Sequence, residues 1–101
     1  MRIAIWGAGY IGGKQLVALG RDKVDFFIDS NPKKCSGLFC GKKIVHPDEL
    51  STWSDLFVYV PYNFYNEIKA SLVAHGLVEK VNFCKYDGKN GIDEVILKKD
   101  L

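Results

Sequence analysis

The sequence predicts an α/β domain built on a doubly wound parallel sheet, a single small unit with a short hairpin at one edge. Three observations predict it. An apolar run, Arg2 to Trp6 (RIAIW), passes directly into Gly7-Ala8-Gly9-Tyr10-Ile11-Gly12, a complete G-x-G-x-x-G, and then into a helix-compatible segment. A second apolar run, Val24 to Ile28 (VDFFI), follows at the length of a minimal strand–helix–strand crossover and ends in Asp29. A third, Asp55 to Val60 (DLFVYV), precedes another segment of helical periodicity. Strands alternating with helices imply a parallel sheet covered on both faces.

Taken in order, Arg2–Trp6 reads as a strand buried on both sides, as parallel strands are. Tyr10–Leu19 reads as the first helix, with Ile11, Leu16, Val17 and Leu19 able to face the sheet and Gly20 as its C-terminal cap. Arg21-Asp22-Lys23 is a polar link into the second strand, and Asp29-Ser30-Asn31-Pro32 is a turn cluster. The stretch from Lys33 to Val45 (KKCSGLFCGKKIV) does not suit a crossover helix. It reads as an irregular excursion with a hairpin of Leu38-Phe39 against Lys43-Ile44-Val45. Pro47–Leu50 reads as one helical turn with proline in its first turn. Pro61 closes the third strand. Asn63–His75 reads as a helix with Tyr65, Ile68, Leu72 and Val73 on its apolar side, ended by Gly76. Val81–Cys84 reads as a last short strand. Residues 1–86 form the expected domain, and 87–101 an extension in which Ile92–Leu97 is an edge strand or an outgoing helix. The expected strand order is second, first, third, fourth, with the hairpin beyond the second. That order puts a topological switch between the first and third strands, where ligands enter at the strand C-termini.

Composition excludes several classes. The 101 residues carry 14 Lys plus Arg and 12 Asp plus Glu, and a net charge of +2 gives no reason to expect nucleic acid or an anionic membrane as partner. No apolar run approaches the roughly 20 residues of a membrane helix. Glycines interrupt any leader-like segment at the N-terminus. The odd cysteine count (Cys35, Cys40, Cys84) implies reduced thiols and a cytoplasmic location. Neither His46 nor His75 stands at a finger-like spacing from Cys35 and Cys40, so no metal site is expected.

The glycine motif carries the chemistry. Gly7 permits a tight turn, Gly9 lets a diphosphate approach the backbone, and Gly12 allows close packing of helix on strand. The unpartnered N–H groups of the first helical turn and roughly half a positive charge from the helix dipole favour an anion there. Asp29, 20 residues after Gly9, is placed to accept from ribose hydroxyls, which favours NAD over its 2′-phosphorylated form. It is equally a turn aspartate. Lys33 and Lys34 are either phosphate partners or a solvated face. Tyr65 and Lys69 form Y-x-x-x-K, an acid and its lysine in short-chain dehydrogenases, but the position in the chain favours packing for the tyrosine and exposure for the lysine. His46 and His75 stand at element ends as surface or capping residues. No catalytic residue is assigned.

From Met1 to about Tyr86 the chain resembles the small Rossmann-like domains of bacterial glycan-biosynthesis proteins, which stand beside sugar acetyltransferase, glycosyltransferase, methyltransferase or nucleotide-sugar epimerase and dehydratase domains. The likeness rests on Gly7-Ala8-Gly9-x-x-Gly12, on Phe27-Ile28-Asp29-Ser30-Asn31-Pro32-Lys33-Lys34, on Gly41-Lys42-Lys43-Ile44-Val45-His46-Pro47-Asp48-Glu49-Leu50 and on Tyr65-x-x-Ile68-x-x-x-Leu72-x-x-x-Gly76. The resemblance implies a nucleotide-sugar or dinucleotide at the glycine loop. It also implies a tethered catalytic domain.

The expected function is therefore binding of NAD or a UDP-type nucleotide-sugar for sugar modification or polysaccharide biosynthesis, with no complete catalytic set. Gly7, Gly9, Tyr10, Ile11 and Gly12 would line the diphosphate, Asp29 and Ser30 a ribose, and Pro61, Tyr62 and Asn63 the switch-point side. Tyr10 is bulky enough to narrow the site. Two alternatives stand: a minimal NAD-dependent oxidoreductase or epimerase, and a dimerising structural domain with a relic glycine loop, burying a partner around Phe39, Trp53, Phe57 and Tyr59.

Overall fold

The structure, a computed structural model, describes residues 1–50 and 53–86, with the side chain of Tyr62 outside that description. The expected extension over 87–101, including Ile92–Leu97, lies outside the described residues. Within them the chain forms β1 (Arg2–Trp6), α1 (Tyr10–Leu19), β2 (Phe26–Ile28), β3 (Leu38–Phe39), β4 (Lys42–Val45), β5 (Leu56–Pro61), α2 (Tyr65–Ala74) and β6 (Phe83–Tyr86). Short 3-10 turns cover Arg21–Lys23, Pro47–Glu49 and Tyr62–Phe64. The six strands form one sheet in the order β3-β4-β2-β1-β5-β6, parallel throughout except for β3 on β4. This is the expected order, with the hairpin at the β2 edge.

Strand periodicity divides the core. Ile3 and Ile5 point to the face covered by α1, where Leu16, Leu19, Phe27 and Tyr59 are buried with them. Ala4 and Trp6 point to the other face, with Leu72 of α2, Leu77, Val58 and Phe83. Each fully buried large apolar side chain contributes about 1.5–3 kcal/mol. The sheet thus has a helix on each side, which is why β5 is buried along its whole length.

Several boundaries differ from the sequence expectation, each for a local reason. The second strand begins at Phe26, because Asp25 turns its carboxylate to the ladder and accepts from Ile3 N–H at 2.7 Å. The last strand is Phe83–Tyr86 because Val78 to Asn82 forms a turn. Val78 N–H donates to Asn82 Oδ1 at 3.0 Å, Asn82 N–H donates to Val78 O at 2.8 Å, and Lys80 adopts φ 67°. Val17 and Val73 are 72% and 52% exposed and do not face the sheet. Gly12, Gln15, Leu16 and Leu19 form the inner stripe of α1. Phe57 and Tyr59 are core residues at 1% and 0% exposure, so they are not a partner surface. Trp53 lies over His75 with ring centroids 4.5 Å apart, and Phe39 meets Phe27 edge-on at 5.2 Å.

The hairpin explains the path of the Asp29–Val45 stretch. Cys40 and Gly41 both have positive φ, 52° and 80°, the pair of values that a two-residue turn between right-twisted strands requires. Arg21 Nη2 donates to Cys40 O at 2.8 Å, and Phe39 lies 3.5 Å from where a Cβ on Gly13 would stand. The hairpin is thereby folded against α1, and the segment before it runs past the glycine loop.

Candidate functional site

A cleft of about 570 Å³ opens at the C-terminal ends of β1 and β5. One wall is Gly7 to Gly12 with Asp29, Ser30 and Lys34; the other is Pro61, Asn63, Phe64, Glu67 and Ile68; Trp6 lies between. The structure therefore brings Gly7, Gly9, Tyr10, Ile11, Gly12, Asp29, Ser30, Pro61 and Asn63 around one space. The expectation for the Tyr62 side chain falls outside the described residues.

The glycine loop is shaped by two backbone bonds and one close approach. Gly7 adopts φ 109°, in the region that favours glycine, and its N–H donates to Ile28 O at 2.6 Å. Gly9 is the N-cap of α1 and offers no side chain; the first intrahelical bond runs from Gly13 N–H to Gly9 O at 2.8 Å. The N–H groups of Tyr10, Ile11 and Gly12 precede that bond and have no intrahelical acceptor. A Cβ on Gly12 would fall 1.9 Å from Gly7 O, so only glycine lets α1 sit this close to the end of β1. The Tyr10 side chain is 80% exposed, with Lys14 Nζ 5.2 Å from its ring centroid.

Asp29 is both the turn residue and the acid at the strand end. Its Oδ1 accepts from Asn31 N–H at 2.8 Å, closing the Asx turn, and its Oδ2 accepts from Ala8 N–H at 2.9 Å. Each carboxylate oxygen has two acceptor positions, so one on each remains for a ligand hydroxyl. Lys34 completes the wall. Its Nζ donates to Ala8 O at 3.1 Å and stands 4.0 Å from Asp29 Oδ2. The backbone of Ala8 is thus held at both of its polar groups, the N–H by Asp29 and the C=O by Lys34.

Lys34, Phe64, Glu67, Ile68 and Trp6 line the cleft without having been assigned to the site from sequence. Of these, Lys34 carried a signal as one of two lysines weighed against a solvated face, and Phe64 follows directly on Pro61-Tyr62-Asn63, the expected switch-point side. Lys33 is on the solvated side, its side chain exposed and its N–H bonded to Asn31 Oδ1. The positions of Phe64 and Glu67 depend on the 3-10 turn that follows Pro61, which no sequence motif marks.

The Tyr65–Lys69 pair serves a different purpose from an acid and its lysine. Tyr65 O–H donates to Glu79 Oε2, and Lys69 Nζ lies 3.0 Å from the same oxygen. Burial first, then the hydrogen bond to Glu79, pushes the Tyr65 phenol up, the opposite of what a proton donor at neutral pH needs. Lys69 is in an ion pair and not simply solvated. His46 caps the Pro47–Glu49 turn, its Nδ1 accepting from Asp48 N–H at 3.1 Å. His75 Nδ1 is 2.8 Å from Ser71 O. Cys35, Cys40 and Cys84 are free thiols, and burial, then Glu49 and Asp29, pushes the Cys35 thiol up. Among the described residues no group of three His, Cys, Asp or Glu side chains gathers at a metal position, and no helix is long and apolar enough to cross a membrane.

Comparison with protein-family models, with curated proteins and with solved structures finds no match to this chain.

Proposed function

We propose that this chain binds a diphosphate-containing nucleotide, NAD or a UDP-type nucleotide-sugar, in a Rossmann-like manner at the C-terminal edge of its sheet. The observation that carries this reading is the cleft itself. A concave space of about 570 Å³ lies over the unpartnered first-turn N–H groups of α1, with the Asp29 carboxylate on the same wall. That volume falls within the roughly 300–1,000 Å³ of small-molecule pockets. The N–H groups and helix dipole suit a diphosphate, and Asp29 suits a ribose.

The chain would act as a binding module in sugar modification or polysaccharide biosynthesis, in the cytoplasm. A tethered catalytic domain or a second copy would supply the chemistry. The Tyr65 phenol, locked on Glu79, does not support a hydride-transfer enzyme.

Titration calorimetry and thermal-shift measurements of the whole chain with NAD, NADP, UDP and UDP-sugars test the reading. Binding of a member of this set, abolished by Gly9→Val through the bulk it puts beside Lys34, is the expected result. Absence of heat and of any thermal shift with all of them would sink the proposal.

A further inference from the structure

The geometry points to Lys34 as the residue that neutralises phosphate charge in this cleft. The inference rests on the nucleotide reading above and names the group that grades its ligands. Among the described residues lining the cleft, Lys34 is the one cationic side chain, set against the carboxylates of Asp29 and Glu67.

Three features place the ammonium for that task. First, its Nζ stands 3.8 Å from the position a Cβ on Gly9 would take, so it lies over the Cα of the middle glycine, where a diphosphate approaches the backbone. Second, an ammonium has three donors, and one is spent on Ala8 O at 3.1 Å; the Asp29 oxygen at 4.0 Å lies beyond hydrogen-bond reach. The side chain is 44% exposed, so donor capacity remains facing the cleft. Third, the charge is held beside the N-terminus of α1, whose dipole is positive there. Two positive ends converge on one space, and the nearest anion, Asp29, already accepts from Ala8 and Asn31 N–H groups. A bound phosphate relieves that repulsion and gains charge-assisted bonds from both.

The lysine is also ordered before any ligand arrives. The Asx turn at Asp29 and the hairpin folded on α1 fix the backbone on either side of it, and the bond to Ala8 O fixes its head. The Glu67 carboxylate on α2 repels phosphate, so the charged part of a ligand lies on the Lys34 side and its neutral part toward Phe64 and Ile68.

Titration calorimetry of the whole chain with UDP, ADP, uridine and adenosine, on the wild type, Lys34→Met and Lys34→Arg, tests this. Circular dichroism first confirms that each variant is folded. Lys34→Met is expected to weaken UDP and ADP about 10- to 100-fold, the range for losing a hydrogen bond to a charged group. Uridine and adenosine, which lack phosphate, lose nothing, and Lys34→Arg stays within about threefold of wild type for the diphosphates because the charge is kept. If wild type binds UDP or ADP and Lys34→Met binds them equally well, the assignment of Lys34 is overturned while the nucleotide reading stands. Equal losses in Lys34→Met and Lys34→Arg also overturn it, since the residue would then hold loop shape and not read charge. A wild type that binds neither diphosphate overturns the assignment of Lys34, and the nucleotide reading falls with it only when NAD, NADP and UDP-sugars give no heat either.

Discussion

The backbone N–H of Ala8 donates to Oδ2 of Asp29 at 2.9 Å, so the loop after β1 is anchored by the residue that follows β2. Asp29→Ala removes the acceptor for this N–H and for that of Asn31. Loss of about 2 kcal/mol of stability is expected in urea denaturation, and less for Asp29→Asn, which keeps one acceptor oxygen. Because the loop itself shifts, Asp29→Ala is expected to weaken inorganic pyrophosphate, which has no ribose, as well as the nucleotides. A selective loss of ribose-bearing ligands would show that the carboxylate does not hold the loop.

Gly9 and Gly12 belong to one motif and have opposite tolerances. A Cβ at Gly12 would lie 1.9 Å from Gly7 O, a backbone atom, whereas one at Gly9 meets Lys34 Nζ at 3.8 Å. Gly12→Ala is expected to cost about 3 kcal/mol or more, or to prevent folding. Gly9→Ala costs at most about 1 kcal/mol, the loss of a good N-cap residue. Thermal melts of the two variants side by side decide it, and similar melting points would contradict the packing described for α1.

Stability varies with pH through Glu79 and Tyr65. The hydrogen bond from Tyr65, then Lys69, holds the Glu79 carboxyl below its ordinary 4.5. A lowered value means the folded state binds the proton less readily than the unfolded one. The contribution of Glu79 is therefore complete above pH 4.5 and is lost as the pH falls below it. Tyr65 is pushed above its ordinary 10.0, so its contribution is complete below that pH and is lost as the pH rises beyond it. Denaturation followed from about pH 3 to 7 should show a shallower acid limb for Glu79→Gln than for wild type. The same measurement carried on to about pH 11 should show a flatter alkaline limb for Tyr65→Phe than for wild type. An unchanged acid limb in Glu79→Gln would rule out this assignment.

Gln15 is 3% exposed, and neither its Oε1 nor its Nε2 has a hydrogen-bond partner among the described residues. Burying an unpaired amide costs more than burying an apolar group of the same size. Gln15→Met, close in shape, is expected to raise stability by about 1 kcal/mol or more. A fall in stability would show that the amide is bonded.

The sheet was legible because its determinants are local. Arg2–Trp6, the glycine motif and the apolar run ending at Ile28 specify β1, α1 and β2 with little help from elsewhere, and the glycines of the Lys33–Val45 stretch exclude a helix there. Outward residues were harder. Val17 and Val73 fit an apolar stripe by spacing, but the stripe on each helix is rotated by what it meets across the interface, and both valines fall outside it. The cleft was legible as far as the motif extends. Lys34 was ambiguous because a lysine in a loop is solvated unless the fold brings an acceptor to it, and Ala8 O is 26 positions earlier in the chain. Glu79 gave no signal at all, since its bond to Tyr65 depends on the turn that sets β6.

The pairing of β1 with β5 has a kinetic consequence. Ile3 pairs with Phe57, so more than half the chain lies between these partners, whereas β1 with β2 and β5 with β6 are joined by short crossovers. Contacts so distant in sequence close late, after the local units on either side have formed. The cleft stands over this last seam, with one wall from each unit. A ligand that touches both walls spans this seam and binds only the closed pair, so it would stabilise the docking of the two units in proportion to its occupancy.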